Sequence, residues 1–296
     1  MSEAWTVRTV LGWTTEYFNR RGIDAPRLTA EVLIAQVMRG DRVQLYIDLD
    51  RPLSKAELRE CRGLIERRAA GEPTQYLTGR REFYGRPFAV DLRVFIPRPE
   101  TESVVERVLE EIPKESECRI LDVCTGSGCI AVTIAAERPR SQVVGIELSA
   151  QACDVARANA AALGVGDRVR ILEGDLFAPL KPGAAFDVLV SNPPYIPSGE
   201  ISALSAEVRR EPALALDGGT DGLEVTRKLA AQACQWLLPS GFFAVEIGDR
   251  SAAPVLRLFQ TAGFLRTGVA KDFARLDRVV FGYKSQSQAL DGQDYR

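Results

Sequence analysis

The regular alternation of strand-like and helix-like segments after residue 101 is the feature that most restricts the possible fold. Short runs of apolar and β-branched residues predict strands near 119–124, 142–147, 169–173, 186–191, 241–247, 264–269 and 278–283. Helical stretches fill most of the intervals, near 101–112, 128–138, 149–163, 222–237 and 251–262. This alternation predicts an α/β domain with a mainly parallel seven-stranded sheet, covered on both faces. Ligands of such sheets bind at the carboxyl ends of the strands.

The first 75 residues show helical periodicity instead. One helix is predicted between Pro26, a residue that suits the first turn of a helix, and Gly40. Another is predicted to begin after Ser54, where Glu57 completes a capping box. We therefore expect a small helical bundle, which names no chemistry of its own and is interpreted as a substrate-binding domain.

A short segment with a different pattern follows the bundle. Two β-prone runs, 82–84 and 88–96, flank Gly85-Arg86-Pro87 and predict a hairpin. The polar end of the chain predicts disorder. We therefore predict a helical domain at residues 1–75 and a hairpin linker at 76–100. An α/β domain at 101–284 and a disordered tail at 285–296 are predicted to follow.

The chain of 296 residues contains no histidine, which excludes a Ser-His-Asp triad and His-ligated zinc, and no metal site is expected. With 38 basic and 40 acidic residues it has no basic excess with which to bind nucleic acid. The six cysteines form no CxxC pair, so reduced thiols are expected. The sequence also lacks a signal-peptide pattern and any apolar run of about 20 residues, so we expect a cytoplasmic protein with no membrane contact.

A glycine-containing loop follows the first predicted strand of the α/β domain. Residues 124–128 are Cys124, Thr125, Gly126, Ser127 and Gly128, and an apolar helix follows. Glycines allow a ligand to approach the backbone closely, and a helix N-terminus offers N–H donors. The cofactor stays ambiguous here, because the relaxed dinucleotide pattern GxGxxG/A also fits, so NAD and S-adenosylmethionine are both possible.

Two acidic residues mark the next two strand ends. Glu147 lies 21 residues after Gly126, where an acid accepts hydrogen bonds from ribose hydroxyls in related sheets. Asp175 could accept from an adenine amino group while Leu176 packs on the ring. An aspartate that only caps a turn or a helix fits Asp175 about as well.

The fourth predicted strand ends in Asn192-Pro193-Pro194-Tyr195. Prolines have no N–H and push the preceding residue into an extended conformation, so this segment is stiff and rich in acceptors. The side-chain carbonyl of Asn192 and the backbone carbonyl of Pro193 can each accept one N–H of a planar NH₂ group. Tyr195 offers an aromatic face nearby. Such a site suits methylation of an amide or amino nitrogen, which favours S-adenosylmethionine over NAD.

With these residues, the chain resembles the release factor glutamine methyltransferases (HemK-like) over nearly its whole length. Besides the segment at 192–195, the matching stretches are EPTQYLTG at 72–79, FIPRPETE at 95–102, DVCTGSG at 122–128, Glu211-Pro212, DGG at 217–219, Asp221-Gly222 and DRVV at 277–280. The pattern at 192–195 is shared with adenine-N6 methyltransferases, whereas IPRPETE after a helical domain is more specific. The resemblance implies a Rossmann-like class I methyltransferase fold preceded by the bundle and the hairpin.

The resemblance also implies a reaction, which is methyl transfer from S-adenosylmethionine to the glutamine amide nitrogen in the GGQ motif of peptide chain release factors. Residues 124–128, Glu147, Asp175, Leu176 and Asn192 would then bind the cofactor. Asn192, Pro193, Pro194 and Tyr195 would bind the glutamine, with Asn192 and Pro193 acting in catalysis. Glu147 stands where the family usually has aspartate. The loop Pro97–Glu102 is expected to close over the site, although Arg98, Glu100 and Glu102 could equally form a local ion-pair network.

Alternatives to this reaction stay open. A glutamine methyltransferase of ribosomal proteins would have similar catalytic motifs, and an adenine-N6 methyltransferase would need a nucleic-acid surface. A non-catalytic cofactor-binding module is a further alternative. The chain is expected to act as a monomer without direct nucleic-acid binding.

Overall fold

The computed structural model describes residues 5–286, which form two compact units. The helical unit contains the chain up to Arg80 together with Ser205–Arg210, and the remainder forms the sheet unit. Nothing in the sequence predicts that Ser205–Arg210 belongs with the helices, because this segment is distant from them along the chain.

The helical unit contains five α-helices: α1 (Val7–Arg20), α2 (Pro26–Val37), α3 (Arg42–Ile47), α4 (Lys55–Ala69) and α5 (Thr74–Thr78). The predicted capping box is confirmed, since Ser54 accepts from the Glu57 amide while the Glu57 carboxylate accepts from the Ser54 amide. The helix that begins at Pro26 ends at Val37, short of the predicted Gly40. The short helices α3 and α5 lacked a sequence signal because they span only one to two turns.

The segment Ser205–Arg210 is held to α4 and its end by charged groups. The buried guanidinium of Arg68 forms an ion pair with Glu207. Arg210 donates to the carbonyl of Ala70 at 2.8 Å. A Cβ atom on Gly71 would lie 3.3 Å from that of Ala206, so the two backbones pack closely there.

The predicted hairpin consists of β1 (Arg80–Phe83) and β2 (Arg86–Ala89). Tyr84 and Gly85 both have positive φ, 51° and 68°, as a two-residue type I′ turn requires. The prediction of a strand over 88–96 is wrong beyond Ala89. The carboxylate of Asp91 accepts from the Arg93 amide at 3.0 Å, and this local turn ends the extended backbone.

The sheet unit confirms the predicted fold class. Its seven-stranded sheet has the order β5-β4-β3-β6-β7-β9-β8, with only β9 antiparallel to its neighbours. The strands are β3 (Arg119–Val123), β4 (Gln142–Glu147), β5 (Val169–Glu173), β6 (Phe186–Ser191), β7 (Leu237–Glu246), β8 (Leu265–Lys271) and β9 (Asp277–Tyr283).

Helices cover both faces of this sheet and form two apolar cores. One core includes α6 (Glu102–Glu111), α7 (Cys129–Glu137) and α8 (Ala150–Ala162). The other includes α9 (Glu224–Trp236) and α10 (Ala252–Thr261). Because both faces are covered, the exposed carboxyl ends of the parallel strands are the natural place for a ligand.

All six cysteines lie in the described part of the chain and are free thiols, as predicted. Between residues 5 and 286 no helix combines the length and the apolar character needed to cross a membrane. The tail predicted to be disordered, residues 285–296, lies outside the described residues from position 287 onward.

The side-chain amide of buried Asn159 joins the hairpin to the glycine loop. Its Oδ1 accepts from the Ala89 amide at 2.8 Å, and its Nδ2 donates to the carbonyls of Ala89 and Ser127 at 3.0 and 2.9 Å. Three backbone groups therefore depend on one side chain of α8.

We expect Asn159→Ala to lower the free energy of unfolding by roughly 2–4 kcal/mol, because it leaves three backbone polar groups without their partner. Urea unfolding followed by circular dichroism measures the change. Gln151→Ala, an exposed change on the same helix, should stay within about 0.5 kcal/mol of the wild type. Equal stabilities of the two variants would contradict the bridging role of Asn159.

Candidate active site

The register of the sheet brings the predicted site residues to one edge. Val123, the last residue of β3, is level with Ile146 of β4 and with Ser191 of β6. The hydroxyl of Ser191 donates to the carbonyl of Val123 at 2.6 Å, which fixes the two strand ends together. The glycine loop and Asn192 therefore begin side by side.

The glycine loop has three positive φ angles, 64° at Cys124, 56° at Gly126 and 80° at Gly128. A Cβ atom on Gly128 would lie 3.2 Å from the Cβ atom of Ala156, so this glycine allows α7 to pack closely on α8. A Cβ atom on Gly126 would meet nothing within 4 Å. The loop is thus closed towards the protein at Gly128 and open at Gly126.

The buried carboxylate of Asp122 holds this loop from the protein interior. Its Oδ2 accepts from the Thr125 hydroxyl at 2.6 Å and from the Ala131 amide at 3.2 Å. Burial is the main cause that raises the pKa of this carboxyl to about 7. Asp122 was absent from the predicted site residues. An acid inside an otherwise apolar strand, just before a glycine loop, is the signal that could have found it.

Glu147 contacts the loop directly. Its Oε2 accepts from the Gly126 amide at 2.9 Å, and its Oε1 accepts from the Ser149 amide at 3.0 Å. The Gly126 N–H is therefore engaged by the protein and is not free for a ligand. A carboxylate oxygen can accept more than one hydrogen bond, so each oxygen of Glu147 can accept a further bond from a ligand.

Asp175 and Leu176 lie in the turn after β5, beside Glu147. The amide of Gly174 donates to the carbonyl of Glu147 at 2.9 Å, which places this turn. Leu176 is half-buried and has a positive φ of 47°, whereas Asp175 is exposed. Burial raises the pKa of the Cys124 thiol, and the charges of Glu147, Asp122 and Asp175 raise it further. The two predicted acids, Glu147 and Asp175, thus both act on the Cys124 thiol of the glycine loop.

Asn192 is half-buried at the end of β6, and its Nδ2 donates to the hydroxyl of Thr101 at 3.1 Å. Among residues 5–286, neither Oδ1 of Asn192 nor the carbonyl of Pro193 accepts a hydrogen bond from the protein. Both predicted acceptors therefore keep their lone pairs for a ligand.

Tyr195, at the end of this segment, contacts a buried carboxylate that no local sequence pattern indicated as a site residue. Its hydroxyl donates to Oε1 of Glu246, the last residue of β7, at 3.4 Å. Burial is the largest cause that raises the pKa of Glu246 to about 7, while the hydroxyl of Thr101, Arg278 and Tyr195 act to lower it. Burial and the Glu246 charge in turn raise the pKa of Tyr195.

Two glycines allow a second segment to support Pro194 and Tyr195. A Cβ atom on Gly218 would lie 2.8 Å from the Pro194 carbonyl oxygen, and one on Gly222 would lie 2.5 Å from that of Tyr195. Ile196 also pairs with this segment, donating to the carbonyl of Leu216 at 3.1 Å. The glycines at 218 and 222 thus permit a close backbone approach behind the site.

Two charged residues of the loop Pro97–Glu102, Arg98 and Glu102, have side-chain partners within the protein. Arg98 forms an ion pair with Glu211 and lies over the Phe95 ring at 4.6 Å. Glu102 accepts from the Tyr84 amide at 2.8 Å. These contacts favour the local-network interpretation for Arg98 and Glu102. The loop nevertheless reaches the site through buried Thr101, which the sequence did not single out.

The groups at this edge suit an organic ligand rather than a metal ion. Within the described residues 5–286, no three acidic or cysteine side chains are arranged to hold a metal. The available groups are the carboxylate of Glu147, the open backbone at Gly126 and the buried hydroxyl of Ser127, which has no partner in residues 5–286.

We expect Asp122 and Glu246 to make the sheet unit less stable as the pH rises. The unfolded chain loses these protons near pH 4, whereas the folded chain holds them to about pH 7, so stability present below pH 4 is lost between those values. Between pH 5 and 8, Asp122→Asn should gain about 2–3 kcal/mol relative to the wild type.

Urea unfolding at the two pH values measures this difference. The exposed change Asp167→Asn is the matched control and should keep a constant difference from the wild type. A pH-independent difference for Asp122→Asn would contradict the assigned direction.

Similar proteins identify the family. A protein from Geobacter sulfurreducens named release factor glutamine methyltransferase is 45% identical over 281 residues, covering 95% of this chain and 97% of that protein. One of the same name from Chlorobaculum tepidum is 42% identical over 285 residues, covering 93% and 96%. Family models described as PrmC N-terminal domain and Methyltransferase small domain match residues 9–79 and 103–220.

Solved structures agree on the fold. A methyltransferase from Pyrococcus furiosus superposes with a TM-score of 0.52 at 17% identity, covering 68% of this chain and 90% of its own. The T. thermophilus 16S rRNA methyltransferase RsmC, in complex with AdoMet and guanosine, gives 0.50 at 19% identity, covering 69% and 49%. This chain belongs to the release factor glutamine methyltransferase family, as its relatives of 42–45% identity over more than 90% of both chains show.

Proposed function

We propose that this protein transfers a methyl group from S-adenosylmethionine to the side-chain amide nitrogen of the glutamine in the GGQ motif of peptide chain release factors. The observation that carries the proposal is the pair of unengaged acceptors, Oδ1 of Asn192 and the Pro193 carbonyl, in a chain 45% identical to a protein of that name. Two fixed acceptors side by side suit the two N–H groups of a carboxamide.

The proposed cofactor residues are those of the glycine loop, Cys124, Thr125, Gly126, Ser127 and Gly128, together with Glu147, Asp175, Leu176 and Asn192. S-adenosylmethionine supplies an electrophilic methyl group on its sulfonium when it is bound. The fit rests on the open backbone at Gly126, the unpartnered hydroxyl of Ser127 and the remaining acceptor capacity of Glu147. The spare lone pairs of Glu147 suit ribose hydroxyls, as its position at the end of β4 predicts.

The protein's own contribution to the reaction is orientation. An amide nitrogen is a weak nucleophile because its lone pair is shared with the carbonyl. Asn192 and Pro193 would each accept one N–H of the glutamine, which fixes the plane of the amide and directs its nitrogen. Orientation of this kind lowers barriers by about 7–11 kcal/mol, and acceptors that stabilise developing positive charge add a few kcal/mol.

A histidine base is not required by this arrangement. The nitrogen becomes acidic as the new bond forms, so its proton can pass to Oδ1 of Asn192 or the Pro193 carbonyl and then to solvent. We therefore assign catalysis to Asn192 and Pro193, and substrate binding to these two residues together with Pro194 and Tyr195. Gly218 and Gly222 allow the neighbouring backbone to pack closely against Pro194 and Tyr195.

The proposed partner is a release factor, with the helical unit as its binding domain and the protein acting as a cytoplasmic monomer. Support for the helical unit comes from the match of the PrmC N-terminal domain over residues 9–79. The near-equal numbers of basic and acidic residues, 38 and 40, favour a protein substrate over nucleic acid.

The decisive experiment offers three substrates separately. The protein is incubated with S-adenosylmethionine and a release factor, a ribosomal-protein preparation or DNA, and mass spectrometry locates any gain of one CH₂ group. We expect the gain on the glutamine of the release factor. A gain only on a ribosomal protein or on DNA, or no gain, would overturn the proposal.

We expect Asn192→Ala to reduce turnover by about 100-fold or more, because a fixed acceptor of the amide is lost. Affinity for S-adenosylmethionine, measured by calorimetry, should change only a few-fold, since the glycine loop and Glu147 are untouched. Asp167→Ala, an exposed change between α8 and β5, is the control and should keep wild-type turnover. Near-normal turnover of Asn192→Ala would refute the acceptor role.

A further inference from the structure

A tight turn joins β8 to β9 at the same edge of the sheet as the acceptors of Asn192 and Pro193. Because β9 is antiparallel to both of its neighbours, β8 runs parallel to β7. The last residue of β8, Lys271, therefore lies at the carboxyl edge of the parallel strands. The turn at residues 272–276, which we call the β8–β9 tip, extends beyond this edge.

The strand that follows the tip is bonded close to Tyr195. Ile247, just after β7, donates its amide to the carbonyl of Arg278 at 2.9 Å. The guanidinium of Arg278 donates in turn to the carbonyl of Ile247 at 3.1 Å. A Cβ atom on the next residue, Gly248, would lie 3.5 Å from the ring of Tyr195. The base of the tip is thus attached to the residue adjacent to the one that contacts the end of the acceptor segment.

Buried Asp272 fixes the conformation of the tip. Its amide donates to the carbonyl of Leu276 at 2.9 Å, and its carbonyl accepts from the Arg275 amide at 2.9 Å. Its Oδ1 accepts from the Leu276 amide at 3.0 Å, and its Oδ2 accepts from Arg278 at 3.1 Å. Four hydrogen bonds of one residue therefore close the turn and tie it to β9.

This fixed turn presents apolar side chains to solvent. Phe273 is 69% exposed, the highest value among the large apolar side chains of the sheet unit as far as residue 286. Leu276 is 48% exposed. Covering such side chains with a partner is favourable, and a turn that is already ordered loses little conformational entropy when it binds.

We propose that the β8–β9 tip is a docking element for the protein substrate, in which Phe273 and Leu276 contact apolar residues of the release factor close to its glutamine. The assignment rests on the proposed function. A glutamine held by Asn192 and Pro193 belongs to a polypeptide whose neighbouring residues must pass over this edge of the sheet. The tip lies along that edge, on the side of the acceptor segment where Tyr195 ends it.

The charges at the tip favour a protein over a nucleic acid as the occupant. Lys271 forms an ion pair with Asp277 at 2.8 Å, and Arg278 forms one with Asp272. Two of the three cations at residues 271–278 are thus neutralised, whereas a phosphate backbone binds through several free cations. A base could stack on Phe273 but not on the aliphatic side chain of Leu276.

The first experiment compares Phe273→Ala with Leu265→Ala, an exposed change at the opposite end of β8. With a release factor as substrate, we expect Phe273→Ala to raise KM about tenfold, because an apolar contact is lost. Its kcat and its affinity for S-adenosylmethionine should stay within about twofold of the wild type, since the acceptors and the glycine loop are untouched. Leu265→Ala should match the wild type throughout.

An unchanged KM for Phe273→Ala, with the wild type active, would overturn the docking role alone. A wild type that methylates no release factor would instead overturn the proposed function, and the docking role is then decided by a readout that needs no activity.

That readout is photo-crosslinking. Phe273→p-benzoylphenylalanine places a crosslinking group on the tip, and Leu265→p-benzoylphenylalanine places it at the opposite edge of the sheet. After irradiation with a release factor, mass spectrometry should find the crosslinked pair for position 273 and not for position 265. No crosslink at position 273, equal crosslinking at both positions, or crosslinking of added DNA in preference to the release factor would contradict the docking role.

Discussion

The hydrogen bonds of the Asp122 carboxylate are the interaction on which the geometry of the site depends. They join the end of β3 to the Thr125 hydroxyl and to the Ala131 amide, across the whole glycine loop. Because the loop is held from the protein side, its outer face at Gly126 stays open. Glu147 then fixes the Gly126 amide from the neighbouring strand. The carboxylates of Asp122 and Glu147 thus fix the conformation of the glycine loop.

Buried carboxylates recur across this edge of the sheet, and each carries a cost in stability. Asp122 and Glu246 are both inaccessible to solvent, and burial raises the pKa of each to about 7. Such groups are retained where they order something else, which is the glycine loop for Asp122 and the segment ending at Tyr195 for Glu246. The chain has no histidine, and carboxylates and hydroxyls form the buried hydrogen bonds at this edge of the sheet instead.

Sequence reasoning succeeded where a single segment carries the information. The strands of the sheet and the acceptors at Asn192 follow from local patterns, because periodicity and proline act within a few residues. It missed Thr101 and Glu246, because their hydrogen-bond partners, Asn192 and Tyr195, lie 91 and 51 residues away along the chain. It also predicted too long a second hairpin strand, because the turn at Asp91 depends on one side-chain hydrogen bond.

The protein treats the donor and the acceptor side of the Asn192 side-chain amide differently. The protein engages the donor side of Asn192 through Thr101 and leaves the acceptor side to a ligand. This asymmetry selects for an NH₂ group, but a glutamine amide and the amino group of adenine both present one. The acceptors alone therefore cannot choose a protein over a nucleic acid. Selectivity must come from surfaces beyond the acceptors, and the family model that matches residues 9–79 makes the helical unit, besides the β8–β9 tip, a place to look for them.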